Sequence, residues 1–323
     1  MDGSGDERPR HRLRCMIDVE MPDAGIYARL ARRWFDAGFT VLAPGQRAAL
    51  ETGPKLPPEA IRRPMQCGPP GATWGFVSVS RDFPTGRIVS GLPTFKRKAS
   101  NRVWTARSWK WFLEQLADPP NDATLGTAHL DETGYPDEPR IRMTVWTDKW
   151  APDWLRVAFA APESDLSDPG CQEAWLAFIR ETAENLNPAF GIIDYEYDGL
   201  CSEAAAEFLI RDGYMSHERV PRSRQQLRGY DWLTICPQEL ADRLGGTDAL
   251  RATGAFHEVA QLSGGGVWLR ATADYRDFDN AALYCVFRAL APVLPPGMPL
   301  RFPGREDYYR IVYEDAASIM FPE

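Results

Sequence analysis

No stretch of this chain approaches 18 consecutive apolar residues, which excludes a membrane-spanning helix at the level of sequence. Histidine is scarce. The four present, His11, His129, His217 and His257, form no His-x-x-x-His pair, so a zinc site would need long-range assembly. The six cysteines never fall in a C-x-x-C pair, and Cys15 and Cys285 sit in apolar surroundings. Buried free thiols in a reducing cytoplasm are the reading, with no disulfide framework. Walker, nucleophile-elbow and dinucleotide fingerprints are all missing, so neither cofactor nor metal is expected. Positive charge is in deficit: a net −8 argues against nonspecific nucleic-acid binding, which needs a basic surface to release phosphate counterions. The first residues are polar and lack an apolar core, so no signal peptide is expected.

What is present is an ordinary globular composition, 44% hydrophobic and 25% charged over 323 residues, long enough for one large domain or two. Eleven tryptophans are many for this length and hint at large aromatic contacts. Residues 1–11 are Gly-, Asp- and Arg-rich and read as disordered. Leu13, Cys15, Ile17 and Val19 alternate as in a half-buried strand. Ile26, Leu30 and Trp34 recur at helical spacing, with Gly38 as a helix stop and a short strand over 39–42. Residues 44–72 read as a long Pro/Gly-rich loop, followed by strands over 74–80 and 87–92.

Two α-β units of the same shape follow. One has a helix capped by Ser108 and a strand over 123–130; the other has a helix opening at Asp168-Pro169 and a strand over 190–197. In the register of an internal repeat, Gly126 aligns with Gly191 and His129 with Asp194. Between them, 140–146 and 154–160 form a strand pair. Beyond them come a helix over 203–209, a strand over 230–235 and a helix from Pro237. A Gly-rich hairpin, a helix over 280–290 and a last strand over 308–313 complete the reading. The pattern is α+β, with mixed, largely antiparallel sheets, flanking helices and two related halves, 12–138 and 139–323.

The run Asp194-Tyr195-Glu196-Tyr197-Asp198 carries the sharpest chemistry. On a strand, Asp194, Glu196 and Asp198 share one face and Tyr195 and Tyr197 the other. Three carboxylates in a row need a metal, arginine partners, protons or water. Facing outward, they make an acidic, aromatic docking surface for a basic protein, with Trp146, Trp150 and Trp154 as further contacts. Facing inward with His129 and Asp131, Asp194 and Glu196 would make a carboxylate-centred catalytic or metal site. Arg219, Arg222, Arg224 and Arg228 cluster in one loop, suited either to clamp an anion or to pair with the chain's own acids. Lys96, Arg97 and Lys98 read as a solvated basic run.

The segment Trp232-Leu233-Thr234, Leu240-Ala241-Asp242-Arg243-Leu244-Gly245-Gly246 and Ala249-Leu250-Arg251, with the glycine hairpin and 274–279, resembles the type VI secretion immunity-like family. The resemblance spans about 140–315. It implies a bacterial α+β protein that binds and blocks a toxin, and it brings no catalytic residues. Three readings stand side by side: a non-enzymatic toxin-binding protein, an enzyme built on His129, Asp131, Asp194 and Glu196, and a scaffold whose aromatics only fill cores.

Overall fold

The computed structural model describes residues 11–21, 24–53, 57, 59, 65–148, 151–166, 168–197, 200–201, 220–299 and 310–320. The expected helix over 203–209, along with His217, Arg219, Trp150 and Asp198, lies outside these residues. The alternation at Leu13, Cys15, Ile17 and Val19 produces strand β1 (His11–Glu20), and all four side chains are buried. Ten further strands join it: β2 (Thr73–Val89), β3 (Leu92–Val103), β4 (Asp122–Leu130), β5 (Pro136–Asp148), β6 (Ala151–Pro162), β7 (Phe190–Tyr197), β8 (Leu200–Cys201), β9 (Leu233–Cys236), β10 (Glu258–Gln261) and β11 (Val267–Arg270). They form one sheet in the order β10-β11-β9-β7-β1-β6-β5-β4-β2-β3, with β8 paired to the end of β7. Every described pairing is antiparallel. The α+β class follows, with a single open sheet and flanking helices. β1 sits between β6 and β7, and the boundary drawn at 138/139 falls within β5.

The helices are α1 (Ala24–Leu42), α2 (Pro44–Thr52), α3 (Ala106–Gln115), α4 (Pro169–Ala183), α5 (Gln238–Arg243), α6 (Gly246–Ala252), α7 (Asn280–Leu290) and α8 (Ala316–Met320). α1 overrides the expected stop at Gly38 and the expected strand over 39–42. The buried series Leu30, Trp34, Phe35, Phe39 and Leu42 keeps helical spacing to the end, so burial on one face carries the helix through. α2 fills part of the expected loop, opened by Pro44 in its first turn. α3 is capped by Thr105 rather than Ser108, which is the N3 member of a reciprocal capping box. Asp168 caps α4 with Pro169 behind it, as the sequence indicates. Residues 310–313 are irregular, not a strand.

Register divides the sheet into two faces. One carries Cys15, Met143, Phe159, Val157 and Ile193 and is covered by helices. The Phe159 ring meets Trp175 of α4 edge-on at 4.5 Å, and the Trp34 indole of α1 donates to the Ala158 carbonyl at 3.2 Å. Burying such side chains contributes about 1.5–3 kcal/mol each, so this layer supplies much of the stability. The two α-β units make the same connection. α3 links β3 to β4 across β2, and α4 links β6 to β7 across β1. Gly126 and Gly191 play matching parts. A Cβ at Gly126 would stand 2.3 Å from the Phe76 ring, and one at Gly191 would stand 2.6 Å from Ile235 Cδ1.

Candidate functional site

The opposite face of the sheet is built from the alternate positions, and pairing aligns them in rows. One row runs Phe190, Asp18, Arg156, Trp146, Asp122. The next runs Ile192, Met16, Ala158, Thr144, Thr124, Ser78. The third runs Asp194, Arg14, Ala160, Arg142, Gly126, Phe76. Over β7 and β1 this face is buried. Arg228 reaches in from the segment before β9 and lies over the Phe190 ring at 4.6 Å. Beyond β6 no α-helix among the described residues packs on it, although the 3-10 helix Val220–Arg224 lies against β6 and Cys67 and Met65 close over Trp74 and Ala128 at the β4–β2 end. Across β6, β5 and β4, small side chains (Ala158, Ala160, Thr144, Thr124 and Gly126) make a floor between large ones. Trp146 and Arg156 stand on one side, Arg142 and Phe76 on the other. Arg142 is exposed, Trp146 and Arg156 are half-buried, and the Arg156 guanidinium lies 5.6 Å from the Trp146 ring centroid. Trp154, at the start of β6, is also half-buried.

Beneath the cations lie the carboxylates. Asp194 has no exposure, and Arg14 grips it at two points, Nε to Oδ1 at 3.1 Å and a terminal nitrogen to Oδ2 at 2.9 Å. The same motif recurs one row over. Arg156 donates to Asp18 at 2.8 and 3.0 Å, and Arg228 donates to the same carboxylate. Burial pushes the Asp18 carboxyl up, but the Arg156 and Arg228 guanidiniums outweigh it and hold it down at about 2. Burial, and then the Asp194 charge, push the Cys15 thiol far above its usual range. Asp18 and Asp194 therefore brace Arg156 and Arg14, whose side chains are 20% and 15% exposed, at the edge of the uncovered face.

Asp194 departs from its expected place in an acidic docking strip. Asp194 points inward and is neutralised within the chain, because a lone buried carboxylate is too costly to leave unpaired. Tyr195 lies on the helix-covered face, as alternation requires, but it is engaged internally. Its hydroxyl donates to Glu163 at 2.9 Å, and the Arg310 guanidinium lies 4.1 Å from its ring centroid. Burial raises its hydroxyl pKa far above the normal value. The Glu196 and Tyr197 backbones continue β7, with Arg12 opposite Glu196.

The four-residue catalytic arrangement is also overturned. His129 and Asp131 belong to β4 and its turn, while Asp194 and Glu196 belong to β7. Four strand steps separate β4 from β7, roughly 19 Å at normal spacing. Asp131 Oδ1 instead accepts from the amides of Thr133 and Tyr135 and from the Thr133 hydroxyl, closing the β4–β5 turn. Those bonds hold its carboxyl below the usual range, the Thr133 hydroxyl foremost. Among the described residues no three His, Cys, Asp or Glu side chains cluster as a metal site would require. The arginine loop pairs with the chain's own acids: Arg224 with Glu239 at 3.1 Å and Arg228 with Asp18. Of the described tryptophans, Trp34, Trp74, Trp109, Trp175, Trp232 and Trp268 are buried, so most of the aromatic excess is core. Trp104, Trp111, Trp146 and Trp154 are half-buried.

Arg142 and Arg156 escaped the sequence reading, although each shares the period-two phase of Trp146 or Trp154 on its own strand. No helix among the described residues is long and apolar enough to cross a membrane.

An open antiparallel sheet with helices packed on one face defines an α+β protein; on the other face, among the described residues, Arg142 is exposed and Trp146 and Arg156 are half-buried. No protein-family model matches the chain, and no curated protein matches it. Among solved structures it is similar to the Pseudomonas aeruginosa T6SS protein PA0821. The TM-score is 0.53 and the identity 13%, over 96% of this chain and 81% of that one. At that identity the likeness is one of fold.

Proposed function

We propose that this chain is a non-enzymatic, cytoplasmic protein-binding protein of immunity type that neutralises a toxin effector of a type VI secretion system. The observation that carries the reading is the group of exposed Arg142 with half-buried Trp146 and Arg156 on the sheet face that no α-helix among the described residues covers beyond β6. Tryptophan and arginine dominate the energetics of protein interfaces, and a flat strand surface set with them suits a folded protein partner better than a small molecule. The likeness of fold to a T6SS protein and the resemblance carried by 232–251 support the same system. Trp146 is the central contact and Trp154 a flanking one. The net −8 favours a cationic effector through long-range attraction, although Asp194 makes no part of the contact surface.

The test is co-expression with the proteins encoded by adjacent genes. The reading predicts that one of them is toxic alone, is tolerated in the presence of this chain, and co-purifies with it in a salt-sensitive complex. If none of them binds, the reading fails.

A further inference from the structure

β2 and β3 outrun the sheet. β4 pairs with β2 only from Thr73 to Ser80, so Arg81 to Val89 is held by β3 alone. That leaves a two-stranded arm of nine residues on the β2 side, with a register shift between Pro84 and Ile88, roughly 20–25 Å long. It closes in a two-residue turn in which Ser90 (φ 52°) and Gly91 (φ 81°) are both left-handed, the geometry that matches strand twist. The arm springs from a fixed shoulder. An Arg81 terminal nitrogen donates to the carbonyls of Gln115 and Asp118 at 3.1 and 2.8 Å, and the Asp82 amide donates to Asn121 at 2.7 Å.

Its surface differs from the rest of the chain in two ways. Ile88 and Val89 are 72% and 60% exposed, and Phe83 is 42% exposed. Ile88 and Val89 are neighbours on one strand, so both faces of the tip are apolar and wet. In charge, residues 82–98 hold Arg87, Lys96, Arg97 and Lys98 against the single carboxylate Asp82. This is a net +3 within a chain of −8. A tip exposed on both faces buries them only if a partner surrounds it, which calls for a cleft. The cations call for anionic walls. Antiparallel pairing of two β3 edges centred on Arg97 would set Lys96, Arg97 and Lys98 against their own kind, which disfavours a second copy as the occupant.

We propose that the β2–β3 arm inserts into an acidic cleft of the partner protein, with Ile88 and Val89 in the cleft and Arg87 and Lys96 on its walls. This rests on the toxin-binding reading and specifies the chemistry of the site occluded.

The test measures binding of the full chain to the effector encoded beside it. Ile88→Ser with Val89→Ser, and separately Arg87→Glu with Lys96→Glu, are compared with wild type. None of these four side chains packs in the core, and the melting temperature reports whether each variant is folded. Each double variant is predicted to weaken the complex by about tenfold or more, and the charge variant also flattens its salt dependence. Wild-type affinity in both variants overturns the arm proposal and leaves the toxin-binding reading standing. No binding by wild type overturns both. Vesicles of phosphatidylglycerol and phosphatidylcholine are the second probe. Capture that is lost in the Ile88→Ser, Val89→Ser variant would assign the arm to a membrane and overturn the cleft.

Discussion

Arg14 and Asp194 are direct cross-strand neighbours on β1 and β7, and their side chains close a two-point ion pair on the buried part of that sheet face. Asp18 and Arg156 repeat the relationship between β1 and β6. β1 thus supplies one cation and one anion on the same face, four residues apart, each answered by an adjacent strand. Pairing of this kind is sensitive to register. A one-residue slip would set both charges against the apolar, helix-covered side.

Removing one partner of such a pair strands the other. Asp194→Asn should therefore destabilise the fold by about 3–5 kcal/mol, while Arg14→Met combined with Asp194→Leu should recover most of the loss. Urea denaturation of Arg14→Met, Asp194→Leu and the double variant gives the coupling directly. Additive losses would mean that the pair does not act as a unit.

Acid should act through Asp18. Its folded pKa is depressed from 3.8 to about 2, so its contribution is present above pH 3.8 and is lost as pH falls through about 2. The size is roughly 2 kcal/mol. Asp18→Asn should be less stable than wild type at neutral pH, and the gap should close as pH falls from about 4 to about 2. Stability curves across that window check this, and a gap that stays constant would remove Asp18 from the account.

Much of the fold was legible in the sequence, and the reasons are local. β1, α4, the β10–β11 hairpin and α7 each carry periodicity bounded by their own turn or cap residues. α1 was misread at its end because Phe39-Thr40-Val41-Leu42 is strand-like in composition, and only the layer beneath shows that Phe39 and Leu42 continue the buried stripe. The arm was misread as an isolated strand over 87–92, although Ser90-Gly91 is a turn dipeptide in the middle of it. The acidic run misled for a different reason. Period two places Asp194 on a face correctly, but whether that face is wet depends on Arg14, some 180 residues away in the chain. No local pattern encodes that pairing.

The two mid-strand glycines make a steric prediction. Gly126→Ala and Gly191→Ala should each cost about 1–3 kcal/mol, since the new methyl meets Phe76 in one strand and Ile235 in the other. The Gly126→Ala cost should shrink in a Phe76→Ala background, and the Gly191→Ala cost in an Ile235→Ala background. Equal costs in both backgrounds would show that the contact is not the cause.

Thiol reactivity should sort by burial. Cys15 and Cys236 are fully buried, and burial holds their pKa values far up, whereas Cys285 is exposed. Mass-spectrometric mapping after brief alkylation should find Cys285 modified in the native protein, and Cys15 and Cys236 modified only in denaturant. Early modification of Cys15 would place β1 outside the core.

Trp146 decides the central claim. If the proposed complex with an adjacent-encoded effector forms, its dissociation constant should rise by about 30-fold in Trp146→Ala, an interface loss near 2 kcal/mol, with the melting temperature unchanged. Wild-type affinity in that variant would contradict docking on the sheet face that carries Trp146.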